Sequence, residues 1–323
     1  MGFNLVLTVI PARSTKAAST SEVSSSRSGG RVGLPRWLWP SFAAPGLGWL
    51  VLLFLVPIYA VLAVAMSSRL DPIFATPVPE WNPVQWDPGA LADAWSPQLG
   101  TVLVRTFIYV GLAGSLSLLI GYPVAYYVAR HGGKLKALLL VLIIAPFWIS
   151  YLMRMLSWVN LLQPSGYVNR ILMAVGILQE PRGWLDGEPL TVVLGLVYGY
   201  IPFLILPLFA SLDRIDRSLL EAARDLGANP ARAFAHVTLP LSKQGILAGS
   251  VIILLPMFGD YYTPDLLSGA TRTTMFGNQI YFFLNSGTGG NKGAAMVVIL
   301  SAIVSLLMFY YLYTVARAAK EAR

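Results

Sequence analysis

The carboxylate of Asp260 is the group whose position in this sequence most directly suggests chemistry. It stands in an apolar stretch, Gln244–Leu267, and is followed by Tyr261 and Tyr262. An ionisable side chain inside a membrane-length helix is costly, so it usually serves a function and has a partner. With a rise of about 1.5 Å per residue, Asp260 is predicted to lie in the outer third of that helix, facing the bundle interior or a water-filled cavity.

A second set of chemical groups is aromatic. Trp148, Tyr151 and Trp158 occur in another apolar stretch, Leu135–Leu162. Trp148 and Tyr151 are three residues apart, so they are predicted to share one face of a helix. The faces of such rings attract ammonium groups. Together with Asp260, these residues predict a pathway for a cationic solute.

Two alternatives stand beside this prediction. Aromatic residues near the ends of membrane spans commonly form an interfacial belt and have no contact with a substrate. The carboxylate of Asp260 could also neutralise Arg154 or Arg105, which are basic residues inside apolar stretches. A structural ion pair of that kind would consume the charge that a cationic substrate needs.

The elements that must position these groups are membrane helices. The chain has 323 residues, of which 56% are hydrophobic and only 12% are charged. Soluble domains carry roughly a quarter charged residues, and about 20 apolar residues cross a bilayer as a helix. The sequence therefore predicts an all-α membrane protein with six transmembrane helices. They are predicted at Ala43–Ser67, Thr101–Ala129, Leu135–Leu162, Leu190–Leu212, Gln244–Leu267 and Ala294–Ala316.

The composition also predicts the domain bounds and argues against thiol and metal sites. Residues 1–40 are rich in Ser and Gly and are predicted to be a disordered cytoplasmic tail. Residues 41–318 form the predicted six-helix domain, and 319–323 a cytoplasmic end. The chain has no cysteine and only two histidines, far apart in sequence, so thiol chemistry is excluded and no metal site is expected.

The Lys and Arg residues at the ends of the spans and between them predict the orientation. Sixteen of them fall in the two ends of the chain and in the second-to-third and fourth-to-fifth connections, against five in the other three connections. Basic residues are enriched on the cytoplasmic side. Both termini are therefore predicted to be cytoplasmic. The net charge of +8 is explained by topology, so nucleic acid is not an expected partner.

The fourth-to-fifth connection, about 213–241, has the pattern of two short helices. Asp213 and Asp216 are both candidate N-caps of the first helix. Gly227 is predicted to end it in the left-handed conformation. Asn229 and the proline after it restart a helix as cap and first-turn residue, and Pro240 is predicted to end that second helix.

The first of these short helices has a narrow apolar face. Leu219, Ala222, Ala223 and Leu226 recur at helical spacing, whereas Glu221 lies outside that face. The small residues would let another surface approach closely. One alternative is a structured loop that packs on its own bundle, since membrane proteins often lay helices along the interface.

The same segment resembles the signature of the permease subunits of ABC importers. That signature stands here as Glu221-Ala222-Ala223, then Gly227, then Val237-Thr238-Leu239-Pro240. The resemblance implies a type I permease fold in which this segment is the coupling helix, seated in a groove of an ATPase subunit. The predicted coupling residues are Glu221, Ala222, Ala223, Gly227 and Pro240 from the signature, together with Leu226 from the apolar face of the first helix.

The chain has no nucleotide site of its own. Gly132-Gly133-Lys134 is followed by Leu135, with no Ser or Thr for magnesium and no earlier glycine at P-loop spacing. We therefore expect no catalytic residue and no cofactor in this chain. ATP and Mg²⁺ are expected in the separate ATPase.

Three stretches narrow the resemblance to spermidine/putrescine permeases: Pro146–Leu162, Tyr200–Asp216 and Gly259–Gly269. The resemblance implies a second, related but different permease subunit, two ATPase copies and an extracytoplasmic substrate-binding protein. Importers of iron, sulfate or phosphonates share parts of these stretches. An ion-coupled secondary transporter is a further alternative, but it would predict internal repeats and ion-binding carboxylates at the midplane, whereas this sequence has no repeat and very few acidic residues inside its spans. A membrane enzyme is not favoured, since no catalytic set has readable spacing.

Overall fold

The computed structural model describes residues 38–73, 76–287 and 289–321. The predicted tail at 1–40 lies outside the described residues except for its last three, which belong to the first helix. The chain divides into two units between Leu53 and Phe54, and the features below belong to the second unit unless stated otherwise.

The described residues are helical and contain no β-strand, only one isolated bridge between Leu70 and Pro77. Short 3₁₀ or π-helical stretches link several of the α-helices. The α-helices are α1 (Leu38–Leu50, which belongs to the first unit), α2 (Val56–Ala65), α3 (Gly89–Asp93), α4 (Pro97–His131), α5 (Lys136–Ile144), α6 (Tyr151–Leu162), α7 (Tyr167–Ala174), α8 (Pro189–Asp213), α9 (Arg217–Asp225), α10 (Pro230–Ala233), α11 (Leu239–Leu241), α12 (Lys243–Phe258), α13 (Tyr262–Leu267), α14 (Phe276–Asn285) and α15 (Gly290–Glu321).

Four helical segments are long and apolar enough to cross a membrane without a break: Ser41–Ala65, Pro97–His131, Pro189–Asp213 and Gly290–Thr314. Two further pairs of helices are each broken by a sharp bend, of 87° between Gly133–Trp148 and Tyr151–Ala174 and of 60° at Ser242. The prediction of six spans holds if each bent pair counts as one span.

The third and fifth predicted spans are therefore wrong as single helices. Ile149 is extended, and together with Ser150 it separates a 3₁₀ turn containing Pro146 from α6. A proline in a helix removes a hydrogen bond and clashes with the preceding turn, which favours a break of this kind. The helix of the fifth span ends at Phe258, not at Leu267. Pro256 lies near its end, and the helix stops two residues after this proline.

The core is built around α8. This helix packs on α4 and α12, and its buried residues include Leu196, Leu204, Leu208 and Leu212. Four glycines in two G-x-x-x-G spacings, one on α8 and one on α12, are in tight contact with their neighbours. A Cβ added there would lie under 3.0 Å from a neighbouring atom at Gly195, Gly199, Gly245 and Gly249. Small residues at this spacing thus let neighbouring helices pack closely on α8 and α12.

Candidate functional site

The predicted coupling segment begins at Asp216. Its side chain accepts a hydrogen bond from the backbone N–H of Ser218 at 3.0 Å, which caps α9. This hydrogen bonding to the charged form holds the pKa of the Asp216 carboxyl below its usual value. Asp213, the other predicted cap, instead ends α8 and forms an ion pair with Lys136.

Gly227 ends α9 in the predicted conformation. Its φ is +83°, in the left-handed region that favours glycine. The N–H of Gly227 donates to the carbonyl of Arg224 at 2.8 Å, and the N–H of Ala228 donates to that of Ala223 at 3.0 Å. These two bonds form a Schellman motif. The prediction of a sharp corner here is confirmed.

The second helix starts as predicted but does not stop as predicted. The Asn229 side chain accepts from the N–H of Arg232 at 2.8 Å. After α10 the chain runs through a π-helical stretch into α11, which contains Pro240. Pro240 is tolerated because it lies in the first turn of α11. The break comes two residues later at Ser242.

The apolar face of α9 is open to its surroundings. No residue of α9 is buried, and Leu226 just beyond it is 90% exposed. Glu221, Ala222 and Gly227 are also exposed, and Ala223 is half-buried. Part of this face borders a groove of about 340 Å³ lined by Ala223, Leu226, Gly227, Ala228, Arg232, Ala233, His236 and Val237. Much of the apolar face of α9 is therefore not covered by the described part of its own bundle.

The opposite side of the segment is anchored to α4. The ring of Phe234 packs edge-on against Tyr122 and Tyr126, with centroids 5.7 and 5.9 Å apart. Arg130, also on α4, donates to the carbonyl of Ile215 at 3.0 Å. A displacement of the segment would therefore pull on α4, the longest described helix, which packs along the central helix α8.

Asp260 lies in a break rather than inside a helix. It stands between the end of α12 and the start of α13, and it is buried, with 6% exposure. The predicted position of Asp260 along a continuous fifth helix is wrong, because α12 ends at Phe258. The prediction that the carboxylate faces the protein interior is confirmed.

The Asp260 carboxylate is held by three hydroxyl groups and one backbone N–H. Its Oδ2 accepts from the hydroxyls of Tyr151 at 2.8 Å, Tyr200 at 3.1 Å and Thr263 at 2.7 Å. Its Oδ1 accepts from the N–H of Thr263 at 3.0 Å. Hydrogen bonds to an ionised group are the stronger kind. Tyr200 and Thr263 were not predicted as members of this site.

Two glycines on α8 make room for this arrangement. A Cβ at Gly199 would lie 2.9 Å from the Tyr151 ring, and one at Gly195 would lie 2.7 Å from Thr263 Cγ2. The spacing Gly195-x-x-x-Gly199 is therefore the sequence signal that brings α6 and α13 close to α8. This glycine spacing could have indicated that α6 and α13 supply donors to Asp260.

Neither proposed ion pair of Asp260 is present. Arg154 and Arg105 are absent from the ion pairs among the described residues. Arg105 donates to the carbonyls of Thr271 at 3.0 Å and Thr274 at 3.2 Å. No cluster of three or more potential metal ligands occurs in the described part of the chain.

The aromatic residues of the third span do not share a face. Trp148 is 80% exposed and lies before the break, whereas Tyr151 begins α6. The predicted stripe of these two rings is wrong because the helix is interrupted between them. Trp158 packs edge-on against Tyr198, with centroids 5.3 Å apart. Only Tyr151 of these three predicted residues contacts Asp260.

Tyr261 and Tyr262 make aromatic contacts of their own. Their rings stack with centroids 4.2 Å apart, and Tyr261 also stacks on Tyr281 at 4.6 Å. Neither hydroxyl forms a described hydrogen bond with Asp260. The two rings thus form a separate cluster beside the carboxylate.

The arrangement of helices is the fold of ABC importer permeases. The chain superimposes on a chain of a bacterial alginate ABC transporter, solved in complex with alginate pentasaccharide-bound periplasmic protein. The TM-score is 0.68 with 18% identity, over 88% of this chain and 96% of that one. At this identity the likeness concerns the fold alone.

The chain belongs to the family of binding-protein-dependent transport system inner membrane components, whose sequence profile matches residues 118–320. It is 36% identical over 264 residues to the spermidine/putrescine transport system permease protein PotB of Haemophilus influenzae, covering 81% of this chain and 89% of that protein. It is 32% identical over 265 residues to PotB of Escherichia coli K12, covering 82% and 93%.

Proposed function

We propose that this chain is the transmembrane permease subunit of an ATP-driven importer that takes up polyamines such as spermidine and putrescine. The main support is sequence similarity to the PotB proteins: the chain is 36% and 32% identical to two of them over about four fifths of its length. The buried carboxylate of Asp260 beside aromatic rings supports a cationic solute.

The segment that couples transport to ATP hydrolysis is α9 with the corner at Gly227. Its exposed face offers Glu221, Ala222 and Leu226 to a partner. In the proposed complex this face docks on an ATPase subunit, which binds ATP and Mg²⁺. When ATP closes the ATPase dimer, the contacts of Phe234 with α4 transmit the movement and shift the membrane helices towards the outward-open state.

The proposed assembly has further members. A six-helix permease with one coupling segment forms half of a pathway, so a second, related but different permease subunit faces this one. Two ATPase copies dock from the cytoplasm, where both termini of this chain lie. A substrate-binding protein delivers the polyamine from the other side of the bacterial inner membrane.

The proposed role of Asp260 is to contact the ammonium groups of the solute. The carboxylate is saturated by four donors in this conformation. A passing ammonium would have to replace at least one of them, so the contact is expected to be weak. Weak contact suits a transport pathway, because tight binding would trap the solute.

Uptake into proteoliposomes tests the proposal. The complex, purified through a tag on this chain, is reconstituted with its ATPase and binding protein, and radiolabelled spermidine is supplied outside. ATP-dependent accumulation, unaffected by excess ferric iron, sulfate or phosphonate, is the expected result. Accumulation of one of those competitors instead would contradict the polyamine assignment, and uptake without the ATPase would contradict the class of importer.

A further inference from the structure

Arg154 is a buried cation whose charge has no ion-pair partner among the described residues. Its side chain is only 8% exposed, and its Nε and Nη1 atoms are buried without a hydrogen-bond partner. A guanidinium has five donors and cannot lose its proton in a protein. Leaving such donors unsatisfied inside the protein is unfavourable, so this arrangement requires a compensating interaction.

The compensating interaction is aromatic. The guanidinium carbon of Arg154 lies 4.0 Å from the ring centroid of Phe147, 5.3 Å from that of Tyr151 and 5.9 Å from that of Tyr198. All three distances are within the range of cation–π attraction. We call Phe147, Tyr151 and Tyr198 the aromatic cage. Cages of this type also bind ammonium ligands.

The aromatic cage adjoins the carboxylate of Asp260. Tyr151 belongs to both, since its ring lies near Arg154 and its hydroxyl donates to Asp260 Oδ2 at 2.8 Å. Ring faces next to a carboxylate are the groups that recognise an ammonium ion. In this structure those ring faces are already in contact with a cation that belongs to the protein itself.

We propose that the Arg154 guanidinium is an internal competitor of the substrate. It occupies the aromatic cage in the substrate-free permease, and a substrate ammonium group binds there, beside Asp260, only by displacing it. The identity of the substrate as a polyamine rests on the proposed function. The competition itself concerns any ammonium group that reaches the cage. Its consequence is weak binding and ready release.

Direct binding tests the competition. The complex of permease and ATPase subunits is placed in nanodiscs without the binding protein. It is then titrated with radiolabelled spermidine in a scintillation proximity assay. Arg154→Met should bind spermidine about tenfold more tightly than wild type, the scale of one displaced cation contact. Arg154→Lys retains the positive charge and should bind as weakly as wild type. Asp260→Asn added to Arg154→Met should abolish the gain.

Three outcomes of this titration would overturn the proposal. One is Arg154→Met binding no more tightly than wild type. Another is an equal increase in spermidine affinity for Arg154→Met and Arg154→Lys, which would show that the size of the side chain matters and its charge does not. The third is failure of Arg154→Met to assemble while Arg154→Lys assembles, which would make the charge a fixed part of the fold that no substrate displaces.

A second measurement uses the absence of cysteine from this chain. In Arg154→Cys, the introduced thiol is modified with 2-aminoethyl methanethiosulfonate, which attaches an ethylammonium group, or with the neutral ethyl methanethiosulfonate. The adduct on this chain is quantified by mass spectrometry. The charged adduct should restore wild-type weak binding, whereas the neutral adduct should keep the tight binding. Equal affinities for the two adducts would contradict the proposal.

Protection of the same thiol separates this inference from the proposed function. Butylammonium, a probe with a single ammonium group, should slow modification of the thiol by the neutral reagent, even if spermidine is not the transported solute. If the wild-type complex takes up no spermidine but butylammonium protects the thiol, the polyamine assignment fails and the competition stands. If spermidine is taken up and neither amine protects the thiol, the competition fails alone.

Discussion

Replacing Gly227 by valine should open the corner of the coupling segment without any steric clash. A Cβ at Gly227 would meet no atom within 4 Å, but the residue has φ of +83°. The effect is therefore confined to the backbone. The left-handed conformation costs a non-glycine residue about 1–2 kcal/mol, and β-branching makes it less favourable still.

That cost should appear as faster amide exchange at the corner. The two affected amides are those of residue 227 and Ala228, which donate to the carbonyls of Arg224 and Ala223. A change of about 1–2 kcal/mol corresponds to about a 5–30-fold increase in the population of the open corner. Hydrogen exchange measured by mass spectrometry on the membrane-reconstituted complex gives this ratio.

Gly227→Asn is the matched control, because asparagine adopts the left-handed conformation more readily than other non-glycine residues. We expect exchange close to wild type with asparagine and strongly increased exchange with valine. ATP-driven uptake should fall with valine, since Leu226 would no longer be presented at a fixed angle. Equal exchange rates in the two variants would refute the argument that backbone conformation determines this corner.

Three further predictions concern the anchor, the carboxylate and the topology. Phe234→Ala should leave membrane insertion intact but lower the uptake per ATP hydrolysed, because the edge-on contacts with α4 are lost; unchanged coupling would count against this route. Tyr151→Phe removes one hydroxyl donor from Asp260 and should lower the stability of the purified chain by about 1–3 kcal/mol in thermal unfolding; an unchanged midpoint would refute this. A thiol introduced by Val84→Cys, at a side chain 90% exposed, should react with an impermeant maleimide in intact cells. A thiol introduced by Leu226→Cys should react only after lysis, and the reverse pattern would contradict the predicted orientation.

The coupling segment was largely predictable because its determinants are local. The cap at Asp216, the left-handed Gly227 and the cap at Asn229 each act within a few residues, and each is in its predicted place. The prediction that Pro240 ends the second helix is wrong because a preceding π-helical stretch carries the helix past it. The contacts of Phe234 with α4 join residues more than 100 positions apart, and no local pattern indicates them.

The surroundings of Asp260 were less predictable because hydropathy does not report breaks. The sequence remains apolar on both sides of the breaks at 149–150 and at 259–261, so each stretch was predicted as one helix. The hydroxyl donors to Asp260 come from three separate helices. Their convergence depends on the close packing at Gly195 and Gly199, which is evident only when the helices are placed together.

In the proposed function, a separate ATPase docks on the exposed face of α9. Native mass spectrometry of the complex purified through a tag on this chain tests it most directly. We expect this chain together with a related permease subunit and two ATPase copies. Glu221→Lys should release the ATPase, whereas the same charge reversal at the exposed Glu180, on a predicted outer connection, should not. An ATPase that remains bound to Glu221→Lys as firmly as to wild type, or a wild-type chain that purifies without any ATPase, would contradict the claim.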